Sequence, residues 1–192
     1  MRRKAEGEQV VARCEPLRVG RNNVVTETSI SDAEGEVARA TCTYARLPSR
    51  SDNPSVGTGL GRTIDYSEKD EESPRLPLDN YLKITTDPSE PIIELPHHHR
   101  IHNSFGSIQG GAVAVLVDAM STHAGSMVTK LPMRCVEIEI HYLAQAKEGP
   151  FRVEGEPLRV DESSVTSRIR ILDIGNDGRL LDVATATAKV ID

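Results

Sequence analysis

The chain has 192 residues, a net charge of -6 and 38% hydrophobic residues, enough for one ordinary domain or one and a half small ones with a real core. The acidic balance argues against general nucleic-acid binding, and the absence of Trp with few aromatics argues against base-stacking platforms. No apolar run reaches the roughly 18 residues of a membrane span, the basic Met1-Arg2-Arg3-Lys4 start has no apolar core of a signal peptide, and the three dispersed cysteines, Cys14, Cys42 and Cys135, lack ligand or disulfide spacing, which points to a reducing, cytoplasmic setting.

In chain order, the first feature is an internal echo. Glu15-Pro16-Leu17-Arg18-Val19 recurs as Glu156-Pro157-Leu158-Arg159-Val160. Each copy is followed by a β-branched-rich run, Val24 to Ile30 or Val165 to Ile171. A turn then follows, Asp32 to Gly35 or Gly175 to Gly178, and an Ala/Thr-rich stretch, Ala40 to Tyr44 or Ala184 to Ala188. Both copies predict three antiparallel strands joined by short turns. Residues 1–48 therefore form one unit. Residues 49–78, rich in Ser, Gly, Pro and charge, read as a linker, and 79–192 form a second domain.

In that second domain, Tyr81 to Ile84 and Pro91 to Leu95 predict short strands. A loop runs from His97 to Gln109. The three consecutive histidines there, with His102, cannot easily converge on one ion, so an exposed loop is expected rather than a metal site. A helix is predicted from Gly110 to about Val128, with Gly125 and Pro132 bracketing its end. Being apolar nearly all round, it should be covered on most sides, by an antiparallel sheet that curls around it. Val136, Ile138, Ile140 and Tyr142 alternate with Glu137, Glu139 and His141, the period of a half-buried strand. His123 reads as a packed core histidine. Val113, Leu116, Val117 and Met120 line either a pocket or the core.

Asp118 is the only formally charged side chain between Arg100 and Lys130. A carboxylate in so apolar a helix pays a desolvation penalty, which marks it as a candidate functional group. Gly110 and Gly111 open the same helix. Helix starts offer unpaired N–H groups and partial positive charge, and glycines allow a ligand to approach the backbone.

Asn103-Ser-Phe-Gly106-Ser-Ile-Gln109-Gly110-Gly111, followed by Leu116-Val117-Asp118 and Ser121-Thr122, resembles the hotdog-fold acyl-CoA thioesterases, particularly the phenylacetate-pathway subgroup. The resemblance continues through Glu137 to Gly149 and covers about Asn80 to Asp192. It implies an α+β hotdog domain, one long helix wrapped by an antiparallel sheet, preceded by a partial, three-strand repeat of the same fold. Aligned on the repeat, Met1 falls opposite roughly Leu143, as if the chain began midway through a first hotdog domain, through loss of its helix or a start site placed too late. The implied activity is hydrolysis of an acyl-CoA, CoA being part of the substrate and no cofactor being required. Asp118 would be the general base or nucleophile, Gly110 and Gly111 the oxyanion site, and Asn103 would orient the water or the carbonyl.

Two positions depart from the family pattern. Gln109 replaces a common His; it can hydrogen-bond a thioester oxygen but cannot carry a proton. Cys135 falls at or near the Ser/Thr that holds the nucleophilic water. Glu137, Tyr142, Lys147 and Arg159 would lie along the substrate, with Lys147 and Arg159, and Arg18 and Arg21 in the first copy, near the nucleotide tail. Asp118 lies roughly 12 Å along the helix from Gly110 at 1.5 Å per residue, so one helix cannot supply both acid and oxyanion donors. Two antiparallel helices related by a two-fold axis can, which predicts a homodimer or a dimer of dimers. The alternative is a degenerate hotdog protein that binds acyl-CoA or partners without turnover. A hydratase is disfavoured by the lack of an Asp-x-x-x-x-His motif.

Overall fold

The computed structural model describes residues 5–6, 9–46, 48, 77–103 and 105–191. The chain divides into two compact units, Met1–Asn53 and Pro54–Asp192. The expected linker falls mostly on 49–76, outside the described residues.

The first unit is a meander of three antiparallel strands, β1 (Val11–Val19), β2 (Asn23–Asp32) and β3 (Gly35–Ala45), in that order. The β2–β3 turn closes because Asp32 Oδ1 accepts from the Glu34 N–H at 2.9 Å and Gly35 takes φ of 120°, which a side chain would resist.

The second unit begins with α1 (Leu78–Leu82), then β4 (Thr85–Thr86) and β5 (Ile92–Leu95). The strand expected over Tyr81 to Ile84 is thus largely the end of a short helix. Asp79 sits in its first turn and Leu82 is buried. Lys83 stops it in the left-handed region at φ 58°. A short 3₁₀ turn, His99–Ile101, precedes the long helix α2 (Gly110–Thr129). Four long strands follow, β6 (Met133–Tyr142), β7 (Phe151–Val160), β8 (Ser164–Asp173) and β9 (Arg179–Val190). The six strands make one antiparallel sheet in the order β4-β5-β7-β8-β9-β6, with α2 packed on β5 through β9. This is the expected hotdog arrangement.

The core lies between α2 and the sheet. Val113, Leu116, Val117 and Met120 meet Ile93, Leu95, Phe151, Val153, Ile169, Ile171 and Leu181, all essentially inaccessible, and each large side chain contributes about 1.5–3 kcal/mol. The four helix residues are therefore core rather than pocket. Gly125 is no terminator either. It is buried inside the helix, where a Cβ would stand 2.6 Å from Met133 Sδ. Gly155 in β7 serves the same end, since a Cβ there would lie 2.6 Å from Met120 Sδ. The helix ends instead at Lys130, left-handed at φ 60°.

The two sheets share register as well as sequence. In the first, Pro16 pairs with Thr26 and Arg18 with Val25, skipping Leu17; in the second, Pro157 pairs with Ser167 and Arg159 with Thr166, skipping Leu158. Ile30 pairs with Ala38 and Ser31 with Glu36, just as Ile171 pairs with Asp182 and Leu172 with Leu180. The same bulges fall at the same places.

Candidate functional site

Asp118 does not face the core. Only one side of α2 is covered: Ala112, Val113, Leu116, Val117, Met120, Ser121, Ala124 and Gly125 are buried, while Gly111 and Asp118 are exposed and Ala114, Val115 and Ala119 half-buried. Most-sided covering was expected; among the described residues the helix has a second, open face of small apolar residues. On that face Asp118 opens into a groove of about 720 Å³ lined by Leu78 and Asp79 of α1 and by Ala114, Val115, Ala119, Thr122, His123 and Ser126 of α2. A second depression, about 420 Å³ and lined by Glu90, Glu154, Glu156, Arg168 and Arg170, joins acids to arginines, with Arg170 bonded to Glu154 at 2.9 Å.

The apolar setting raises the Asp118 carboxyl above its ordinary range, and hydrogen bonding with the Cys135 thiol opposes that rise. Cys135 is buried, and burial pushes its thiol up. Its sulfur lies 3.5 Å from the Glu137 carbonyl, and Ser121 is within hydrogen-bonding reach of it. Ser121 also donates to the Asp118 carbonyl at 3.0 Å. Asp118, Ser121 and Cys135 therefore form one polar cluster spanning α2 and β6.

The start of α2 is open. Gln109 occupies the N-cap but makes no side-chain cap bond, and no backbone acceptor among the described residues meets the Gly110 or Gly111 N–H. An ordinary polar cap would stabilise such a start by about 1 kcal/mol. A Cβ on Gly111 would meet nothing within 4 Å, so packing within this chain does not require glycine there. A Cβ on Gly110 would approach the Tyr142 ring at 3.4 to 3.6 Å. Tyr142 donates its hydroxyl to the Gly110 carbonyl at 3.2 Å and is itself well exposed.

The other predicted residues separate. Asn103 shapes the loop: its Oδ1 accepts from the Phe105 and Ser107 N–H groups at 2.9 and 3.2 Å, and its Nδ2 donates to the Ile108 carbonyl at 3.4 Å. Its side chain is engaged within 103–108 rather than aimed at the groove. Glu137 is exposed on the outer face of β6, opposite the α2 side. Lys147 is exposed in the β6–β7 connection. Arg159 lies eight residues along β7 from Phe151, roughly 26 Å away at about 3.3 Å per residue, and pairs with Asp161 at 2.9 Å. Lys147 and Arg159 of one chain therefore do not meet. His123 is half-buried and wall to the groove, its Nε2 2.8 Å from the Asp87 carbonyl and 3.1 Å from that of Glu90.

One group went unread in the sequence. Asp182 is 2% exposed, and burial raises its carboxyl to about 7. Its phase with Ala184, Ala186 and Ala188, all buried, was the available signal.

Comparison with known proteins agrees with the fold. The thioesterase superfamily family model matches residues 105–178, which hold the predicted site residues except Asn103, Arg18 and Arg21. A thioesterase from Haemophilus influenzae is 21% identical with a TM-score of 0.53, covering 60% of this chain and 82% of that one. The PaaI protein from the phenylacetic acid degradation operon of E. coli is 15% identical with a TM-score of 0.53, covering 60% and 84%. A Bacillus halodurans protein solved with CoA is 21% identical with a TM-score of 0.51, covering 59% and 75%. No curated protein matches the sequence. The family model matches part of the second unit, and these solved structures share the fold of that unit.

Proposed function

We propose that this protein is an acyl-CoA thioesterase whose sites are shared between two protomers. The observation that carries the reading is Asp118, a carboxyl of raised proton affinity opening into a groove beside a thiol and a hydroxyl. Ionised, it takes a proton from water as that water attacks the thioester carbonyl. The carbonyl oxygen becomes an oxyanion, held by the Gly110 and Gly111 N–H groups of the second protomer. Collapse expels the CoA thiolate, which takes the proton back from Asp118, leaving the free acid. Water and the chain's own groups suffice, so no cofactor is invoked.

The shared site follows from length. Asp118 and Gly110 of one helix stand about 12 Å apart, while base and oxyanion donors must each reach the reacting group within about 3 Å. The open face of α2 and the edge strand β6, with Ile138 and Tyr142 40% and 58% exposed, are the surfaces such a homodimer would cover. The matching bulges of β1–β3 and β7–β9 support reading the first unit as a partial repeat of the hotdog domain. The unbridged Cys14, Cys42 and Cys135 suit a reducing compartment such as the cytoplasm.

One observation favours the non-catalytic alternative: Cys135, not a hydroxyl, adjoins Asp118, and burial disfavours its ionised form. Release of CoA from phenylacetyl-CoA and octanoyl-CoA, by the protein and by Asp118→Asn and Asp118→Ala, decides between them. Turnover by the protein and its loss in both variants is expected. Equal turnover in all three would falsify the role of Asp118, and CoA binding without any turnover would leave the binder.

A further inference from the structure

We propose that Asp182 is a positioning residue for this reaction: uncharged, it leaves the start of α2 positive for the oxyanion, and charged, it opposes that oxyanion. The inference rests on the thioesterase reading above.

Three observations lead to it. First, Asp182 is 2% exposed and has no hydrogen bond or ion pair among the described residues, unlike Asp173, equally buried, whose oxygens accept from the Glu148 and Gly149 N–H groups. A buried carboxyl without a partner is among the costlier things a fold can carry. Second, the strand does not need it. The bulge that skips Leu181 and sets Asp182 opposite Ile171 is built identically in the first unit, where the residue opposite Ile30 is Ala38. Third, it lies under the open end of α2. Asp182 is in phase with the buried Ala184 on the helix side of β9 and pairs with Tyr142 of β6, one strand spacing of about 4.8 Å away. The Tyr142 ring lies against Gly110 and its hydroxyl bonds the Gly110 carbonyl. The β6–β7 connection joins there as well, through the Leu143 and Ala144 N–H groups on the Leu181 carbonyl.

The groups that face Asp182 are few. β6 presents Tyr142; β8 presents Ile171 and, two residues along, Asp173; the first turn of α2 presents no acid, and its Gly110 to Val113 no charge. The β6–β7 connection adds the exposed Lys147 and Glu148, and the uncapped start of α2 adds a positive end. An anion lodged there works against a second negative charge developing on the thioester oxygen, and in partly desolvated protein the penalty is about tenfold in rate. Burial, which raises Asp182 to about 7, keeps it protonated in neutral or mildly acid solution and lets it ionise above that.

The test is the pH dependence of kcat/KM for CoA release from octanoyl-CoA between about pH 5 and about pH 9, corrected for uncatalysed hydrolysis. The protein should lose about tenfold in activity as pH rises through about 7, while Asp182→Asn, which keeps shape without charge, holds its plateau. Asp182→Ala, the residue its counterpart strand carries, should do the same, so a folding defect in one variant leaves the other to read. A purely structural role would lower activity at every pH alike. A wild-type falling limb that both variants retain, or a flat wild-type profile, overturns the inference while leaving the thioesterase intact. No turnover on any thioester overturns both.

Discussion

The three strands β1–β3 and the three strands β7–β9 have the same register and the same bulges, yet among the described residues only the second set carries a helix. The difference is written in the side chains that face it. Where α2 packs, the sheet offers Gly155, Ala184, Ala186 and Ala188, the last three at most 1% exposed. At the corresponding places the first sheet offers Cys14, Ala40, Cys42 and Tyr44, with Cys14 and Tyr44 exposed. A helix can approach β-strands closely only over small residues, and a Cβ at Gly155 would already touch Met120. Backbone geometry is therefore common to both sheets, while capacity for chemistry belongs to the one whose residues admit the helix that bears Asp118, Gly110 and Gly111.

The largest expected effect sits on that helix. Asp118→Asn should lower kcat by about 100-fold or more, the usual worth of a general base, without lowering thermal stability. A variant as active as wild type breaks the link between helix and chemistry.

Next comes Asp182, set against Ala38. Its folded carboxyl titrates near 7, above the unfolded value near 4, so the stability contributed by its proton is full below about pH 4 and lost as pH rises through about 7. At about 1.4 kcal/mol per unit the loss is on the order of 4 kcal/mol. Asp182→Ala should therefore be more stable relative to wild type at pH 8 than at pH 4, as read by denaturant unfolding at both. A difference independent of pH contradicts this placement of the carboxyl.

A paired substitution sharpens the comparison directly. Gly155→Val overpacks Met120 and should cost about 1–3 kcal/mol, whereas Cys14→Val, at the twin position, should shift the unfolding midpoint little. Equal effects mean that the two sheets are loaded alike.

The smallest effect is at Gly111. A Cβ there enters open space, and alanine is the better helix former by about 1 kcal/mol. Gly111→Ala should raise the melting temperature slightly while lowering turnover, because the methyl group stands where the thioester approaches. A rise in both argues for a free helix start with no substrate on it.

Much of this was legible in the sequence. The long helix declared itself by Gly110-Gly111 and an unbroken apolar run, and ends at Thr129 against an expected Val128. The strand pattern of both copies followed from alternation between turns. What failed depends on the third dimension. Tyr81 and Ile84 suit a strand, but five residues are too few for periodicity to reveal the helical turn after Pro77. The apolar run of α2 could not tell which side the sheet covers, so Asp118 read as deeply enclosed when it faces a groove. Asp182 shares the phase of the buried Ala184, Ala186 and Ala188, but small Ala and Thr residues do not say which face of a strand turns inward. Lys147 and Arg159 are only twelve residues apart in sequence, which concealed the length of β7 between them.

The central claim is that one protomer supplies the acid and the other the helix start. It is tested most directly by mixing two inactive variants, Asp118→Asn and Gly111→Val, with exchange of subunits. Shared sites predict that the mixture recovers CoA release, since each mixed pair holds one site with both an intact Asp118 and an intact glycine start. A mixture no more active than its two components contradicts the account.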